Sequence, residues 1–399
     1  MTFRRNFAIV ALVGLAACGS DPMEQQPTET LRIGAALSLT GAQAFEGTEV
    51  RAGYDLWAHW ANEELEGIQI GSRRYEVEII YYDDQSNPAL TADLTEKLIL
   101  DDEVDFLLGP YGSDPTLTAA AVADTYGVVM VQAGGASESI FEQGFQNVFG
   151  ILTPARQYTR SAIERLAQLG AQTAVIAHEQ GGAFSTSVAE GAIDWADEFG
   201  IDVLAVQTYT RGASDLSGIV QAAQALDPDV FIAGGYFNDA VLFRRTAAQL
   251  GFDPPAMLLT VGPSSPQFVA ALGDTANLVL GPSQWEASMT WEDAYFGTAA
   301  QFAQRFEAAT GRAPTYQAAQ AAAAGLTLMA ALQAAGSIET NAVRTALRAL
   351  DITTFFGPIR FDATGKNVSK PMGVTQVQNG EIVVVAPAGI AVADLIYND

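Results

Sequence analysis

From residue 31 onward, short apolar runs of strand size alternate with segments whose apolar residues recur at helical spacing. Runs at 31–39, 75–82, 105–108 and 128–132 are separated by a helical pattern on Val50, Gly53, Tyr54, Trp57, Trp60 and Ala61, and by helices expected over 89–100 and 116–126. Helix-length connections suit parallel strands joined by right-handed crossovers. The alternation therefore predicts an α/β fold with a doubly wound sheet. After an extended run at 147–153 and a helix expected over 154–169, the pattern restarts. Strands are expected at 174–177, 203–208, 230–233 and 257–261, with helices over 187–199, 216–226 and 240–250. Two series of similar length predict two similar lobes, and 399 residues suit two domains of ordinary size. Helices over 295–310, 316–335 and 340–350 follow in near succession and must cover sheets already formed, and short strands are expected over 356–387.

Two strands of the first series end abruptly. The run at 105–108 passes into Gly109, Pro110, Tyr111, Gly112 and Ser113, with Asp114, Pro115 and Thr116 placed to begin a helix. The run at 128–132 passes into Ala133, Gly134, Gly135, Ala136 and Ser137. Ligands of open α/β sheets sit outside the carboxyl ends of the strands. Small side chains let a ligand reach the backbone, and N–H groups after a strand hold a carboxylate without any cationic side chain. These two strand ends form a candidate ligand cleft; the alternative is a pair of ordinary strand-to-helix loops.

The charge balance, 20 basic against 46 acidic residues and a net −26, argues against nucleic acid and against a basic patch on an anionic membrane. An anionic ligand must then be held by local dipoles. Chemistry is scarce: His59 and His178 are far apart, and the chain has no nucleophile elbow, no metalloprotease helix and no phosphate-binding loop of the Gly-x-x-x-x-Gly-Lys type. No catalytic residue, metal or cofactor is expected, and the acidic pairs such as Asp83 and Asp84 are read as solvated element ends.

The beginning of the chain reads as a processing segment. Arg4 and Arg5 precede an apolar stretch over 7–17 that is too short to span a bilayer. Leu15, Ala16, Ala17 and Cys18 resemble the bacterial lipobox, which implies a signal peptide over 1–17 and lipidation of Cys18, the sole cysteine. Residues 18–30 read as a tether, and its residues 19–30 are polar, hold two prolines and reach at most ~40 Å. Elsewhere no run approaches the ~20 uninterrupted apolar residues of a membrane span. The expectation is an exported protein of the periplasm or cell envelope, held to a membrane through Cys18.

Four stretches taken in order, IGAALSLTGAQAFEGTEVRAGYDLWAHWANE, YYDDQSNPALTADLTEKLILDDEVDFLLGPYGS, FIAGGYFNDAVLFRRTAAQLG and FFGPIRFDATG, resemble the periplasmic leucine/isoleucine/valine-binding protein family from about residue 31 to 387. The resemblance implies the type I periplasmic-binding-protein fold, with lobes of residues 31–152 plus 284–355 and 153–283 plus 356–399, joined by three hinge strands near 152, 284 and 356. It also implies an ABC permease and ATPase as partners. Carried over residue by residue, it assigns the ligand carboxylate to Ser113 and to Gly134, Gly135, Ala136 and Ser137. It turns Tyr236 toward the cleft and places Phe184, Trp285 and Tyr316 at its mouth. One departure stands out. Amino-acid binders of the family carry an acid after the strand at 257–261, where this chain reads TVGPSS. Glu46, Glu179 or Asp239 then takes the ligand ammonium, with Glu46 first; otherwise the ligand has none. The expected ligand is a branched-chain or other hydrophobic amino acid, with an aromatic or other organic acid as the alternative ligand and a sensory role as the alternative to transport.

Overall fold

The computed structural model describes Met1, Thr2 and residues 28–397; most of the leader, Cys18 and most of the tether lie outside the described residues. The first series runs β1 (Glu29–Leu37), α1 (Ala44–Glu63), β2 (Ile68–Ile70), β3 (Arg73–Asp83), α2 (Pro88–Leu100), β4 (Phe106–Leu108), α3 (Ser113–Tyr126), β5 (Met130–Gln132) and β6 (Val148–Gly150). These strands form a six-stranded sheet in the order β2-β3-β1-β4-β5-β6. All its pairs are parallel except β2 with β3. Local chemistry sets the helix ends: the Asn87 side chain accepts the Ala89 N–H at 3.0 Å and Pro88 fills the first helical position of α2.

The second series runs α4 (Arg160–Gln168), β7 (Thr173–Glu179), α5 (Ala183–Phe199), β8 (Asp202–Tyr209), α6 (Ser217–Gln224), β9 (Val230–Gly234), α7 (Phe237–Leu250), β10 (Ala256–Leu259), α8 (Pro266–Leu272) and β11 (Leu280–Ser283). Beyond it lie a two-residue pairing of β12 (Glu292–Asp293) with β13 (Gly297–Thr298), then α9 (Ala299–Thr310), α10 (Tyr316–Ala335) and α11 (Thr340–Arg348). The hairpin β14 (Asp351–Thr354) with β15 (Gly357–Arg360) follows, and then β16 (Gly373–Gln378) and β17 (Glu381–Ala386). The second sheet has seven strands in the order β17-β16-β11-β10-β9-β7-β8. Its last two strands run antiparallel on one edge of an otherwise parallel sheet. The α/β, doubly wound, two-lobed architecture read from the alternation is thus present.

The helix expected over 154–169 is broken. A 3₁₀ turn over Ala155–Gln157 precedes α4, because the Arg156 carbonyl accepts the Trp195 indole N–H at 2.6 Å and the Ala155 N–H reaches back to the Ala136 carbonyl at 2.8 Å. The last helices also needed tertiary context. By length and composition α10 is apolar enough to cross a membrane although polar residues interrupt its apolar run, and 78% of its apolar stretch is buried in the protein. It packs on α1 at close range. A Cβ on Gly53 would lie 2.1 Å from the Ala318 carbonyl oxygen, and one on Gly325 would lie 2.1 Å from the Trp57 ring.

The chain passes between the sheets after β6, after β11 and before β16, and one buried side chain from each passage meets the other two. The Thr153 N–H donates to Gln284 Oε1 at 3.1 Å, and Gln284 Nε2 donates to the Thr153 carbonyl at 3.0 Å and to Tyr158 Oη at 3.1 Å. Thr153 Oγ1 donates to the Lys370 carbonyl at 3.1 Å, while Lys370 Nζ donates to the Gln284 carbonyl and to its Oε1. Burial pushes the Lys370 ammonium down to about 7, against which Nζ lies 4.5 Å from the Phe356 ring centre. Before this third passage, Lys366 pairs with Gly150 at the edge of the first sheet.

Candidate ligand-binding cleft

In the first sheet the winding reverses between β1 and β4, and in the second between β7 and β9. The carboxyl ends of those strands face each other, as ligand sites of such sheets require. The cavity between them is lined by Tyr111, Gly134, Ala136, Leu152, Tyr158, Phe184, Tyr236, Val261, Tyr316 and Gln320. The space enclosed, about 10 Å³ for water-sized centres, has room for about one water molecule. The aromatic wall is continuous: Phe184 lies 5.1 Å from Tyr158 and 5.3 Å from Tyr236, and Tyr111 lies 6.2 Å from Tyr236. Burial raises the phenols of Tyr111, Tyr158, Tyr236 and Tyr316, so all of them stay neutral.

The loop assigned to a ligand carboxylate is internally satisfied. Gly134 and Gly135 donate to Gln132 Oε1 at 3.0 and 2.7 Å, and Ala136 and Ser137 donate to Ser113 Oγ at 3.2 and 3.1 Å. Gly134 is bare for packing, since a Cβ there would lie 1.9 Å from the Pro110 carbonyl oxygen. Ser113 is therefore the post around which this loop is wound. Ser137 reaches across the cleft instead, with its Oγ 2.8 Å from Ser187 Oγ.

The acids weighed for an ammonium are also engaged. Glu46, 2% exposed, sits in the first turn of α1. Burial raises its carboxyl to about 7, an effect opposed by the backbone N–H groups of Glu46 and Phe237 and reinforced by Asp239. It thus meets the first N–H of α7 in the opposite lobe, neither a cation nor solvent. Glu179 is held by Arg211, which also grips Asp114 of the first lobe. Asp239 accepts the Tyr236 N–H at 2.9 Å. Burial is the leading cause raising both Glu179 and Asp239.

Of the aromatic residues expected at the mouth, Phe184 and Tyr316 line the cavity. Trp285 does not: its ring packs edge-on to Phe302 at 5.6 Å and its Nε1 donates to the Phe355 carbonyl at 3.1 Å, inside an aromatic cluster of the first lobe. A large apolar ring gains more from full burial there than from a half-wet cleft wall. Tyr111, Tyr158 and Gln320 were missed. Tyr111 stood in the glycine-rich strand end already singled out, and Gln320 is four residues after Tyr316, hence on the same face of α10.

A family model described as periplasmic binding protein matches residues 30–381. The chain belongs to that family. Among curated relatives of this periplasmic binding protein is the Leu/Ile/Val-binding protein homolog 7 of Brucella abortus (strain 2308), 23% identical, the match covering 96% of this chain and 98% of the relative. In structure it is similar to the branched-chain amino acid transporter substrate binding protein LivJ from Streptococcus pneumoniae in complex with isoleucine. The TM-score there is 0.80 at 21% identity, over 90% of this chain and all (100%) of that one. A solute binding protein of an ABC transporter from R. palustris in complex with benzoate matches with a TM-score of 0.76 at 21% identity, over 92% and 99% of the two chains.

Proposed function

We propose that this chain is the extracytoplasmic solute-binding component of an ABC importer, anchored through Cys18, which captures a small amphipathic carboxylate by closing two lobes on it. The observation that carries this is the aromatic cavity at the carboxyl ends of both sheets, with walls from both lobes, in a family of binding proteins. We draw the lobes as residues 31–152 with 284–369 and 153–283 with 370–399; the third passage lies just before β16 and not near 356, because Lys366 still pairs with Gly150 at the edge of the first sheet. The solute's contacts with both lobes stabilise the closed form, which the permease and ATPase then recognise.

A hydrophobic amino acid is the first reading of the solute, supported by the Leu/Ile/Val-binding relatives. An aromatic or other organic acid without an amino group is the second. The engagement of Glu46, Glu179 and Asp239 by other partners favours it. A mass spectrum of the small molecule that co-purifies with the protein tests both, and a molecule without a carboxylate would sink the two together. Cell fractionation of Cys18→Ser tests the anchor: the variant is expected in the soluble fraction, and retention in the membrane pellet would refute it.

A further inference from the structure

We propose that Gln320 is the specificity-determining residue of the cleft. It reads a neutral polar group, able both to donate and to accept hydrogen bonds, on a small acid that carries no ammonium. The proposal rests on the reading of the cleft as a solute site and names the class of solute.

The carboxamide of Gln320 is 0% exposed and lines the cavity, and neither its Nε2 nor its Oε1 has a hydrogen-bond partner among the described residues. Its polar neighbours in the wall are provided for. Tyr111 and Tyr316 share a hydroxyl hydrogen bond, Tyr158 Oη accepts from Gln284, and Tyr236 Oη lies 3.4 Å from the Ser113 backbone nitrogen as its acceptor. A buried amide unpaired at both ends is costly, so such a side chain persists at a site when an occupant completes it.

The two unpaired ends define the occupant. A carboxylate only accepts and would leave Oε1 bare; an ammonium only donates and would leave Nε2 bare. A hydroxyl or a carboxamide satisfies both, and so would the carboxylate and ammonium of an amino acid acting together, which leaves the counter-charge to decide. An ammonium would also need a counter-charge, and among the described residues the wall of the cavity contains no Asp or Glu. The three acids nearest by sequence argument are bound to a helix N–H, an arginine and a backbone N–H. Nor does the wall hold Lys or Arg, so the acid group of the solute meets neutral donors while its uncharged substituent meets Gln320.

Isothermal calorimetry on wild type, Gln320→Leu and Gln320→Met tests this with two matched series: 4-methylpentanoate, its 2-hydroxy derivative and leucine; and benzoate, 4-hydroxybenzoate and 4-(aminomethyl)benzoate. In at least one series the hydroxylated acid is expected to bind wild type roughly tenfold or more tightly than its two companions, and both variants are expected to bring that ratio to about one. The ligand-free melting temperature should not fall in either variant, because the amide has no protein partner to lose. A ratio unchanged in both variants, or a wild-type preference for the ammonium-bearing member, overturns the role of Gln320 while leaving the solute-binding reading intact. A drop in melting temperature with an unchanged ratio would instead assign the amide to a structural water. If no member of either series binds wild type, the small-acid reading falls and the proposal falls with it.

Discussion

Two of the places where the lobes touch are opposite in character. At the passages between the sheets, Thr153, Gln284 and Lys370 exchange hydrogen bonds in a region sealed from water. At the rim, Asp114 of the first lobe meets Arg211 and the Ala183 N–H of the second, and Asn238 Nδ2 meets the Ala42 carbonyl at 3.1 Å. Side-chain exposures of 51% for Arg211 and 22% for Asp114 leave both free to return to solvent when the rim parts. Groups with no alternative partner tie the lobes permanently, whereas groups that water can serve equally well tie them reversibly. A binding protein that closes two lobes on its solute, as proposed for this chain, needs both kinds.

The largest effect is expected at the passages. Gln284→Leu leaves the Lys370 ammonium, the Thr153 N–H and the Tyr158 hydroxyl short of partners at once and should cost about 3–5 kcal/mol of unfolding free energy in urea. A loss below about 1 kcal/mol would show that these passages are not the fixed element. Next in size is Glu46, buried by both lobes. Its carboxyl titrates near 7 in the closed form against an ordinary 4.5, so the closed form holds the extra proton. The sign follows: this contribution to closure is fully present below about 4.5 and is lost as the pH rises through about 7. Spin labels on the two lobes should report opening between pH 5.5 and 8, with a cost of order 2–3 kcal/mol at the alkaline end. Glu46→Gln should flatten that profile, and an equal pH response in the variant would remove Glu46 from the linkage.

The remaining two effects are smaller. Ser113→Ala removes the acceptor of the Ala136 and Ser137 N–H groups and should lower stability by about 1–2 kcal/mol, with faster amide exchange at those two residues. Unchanged exchange would mean the loop is held from elsewhere. Asp114→Ala should weaken closure by at most about 1 kcal/mol, an effect that salt diminishes, and leave urea unfolding of the ligand-free protein nearly unaltered. Should the rim variant prove as damaging to folding as the hinge variant, the distinction between the two contacts is lost.

The fold was legible because hydrophobic period and connection length both act locally, and both restart at residue 174. The site was legible as a region and misread in its details. Glycines at 134 and 135 signalled a close approach, but the approaching group is the Pro110 carbonyl and the Ile140 and Thr116 side chains, which only the folded chain brings there. Trp285 was placed at the mouth by the resemblance, yet Phe302 and Phe355 arrive from later elements to pack against it. Gln320 was invisible for a different reason. In a helix as rich in alanine as α10, the apolar pattern does not tell which face meets the other lobe, and the burial is nearly complete all round.

The near-absence of free volume between the closed lobes has a consequence in time. A cavity with room for about one water admits no solute, so every encounter must wait for, or find, the parted form. If the closed form dominates at rest, the observed association rate will climb with solute concentration only to a plateau set by the opening step, and the apparent affinity will be reduced by the fraction of molecules open at any moment. In that case the fit of the closed lobes to each other would act as a clock on solute binding.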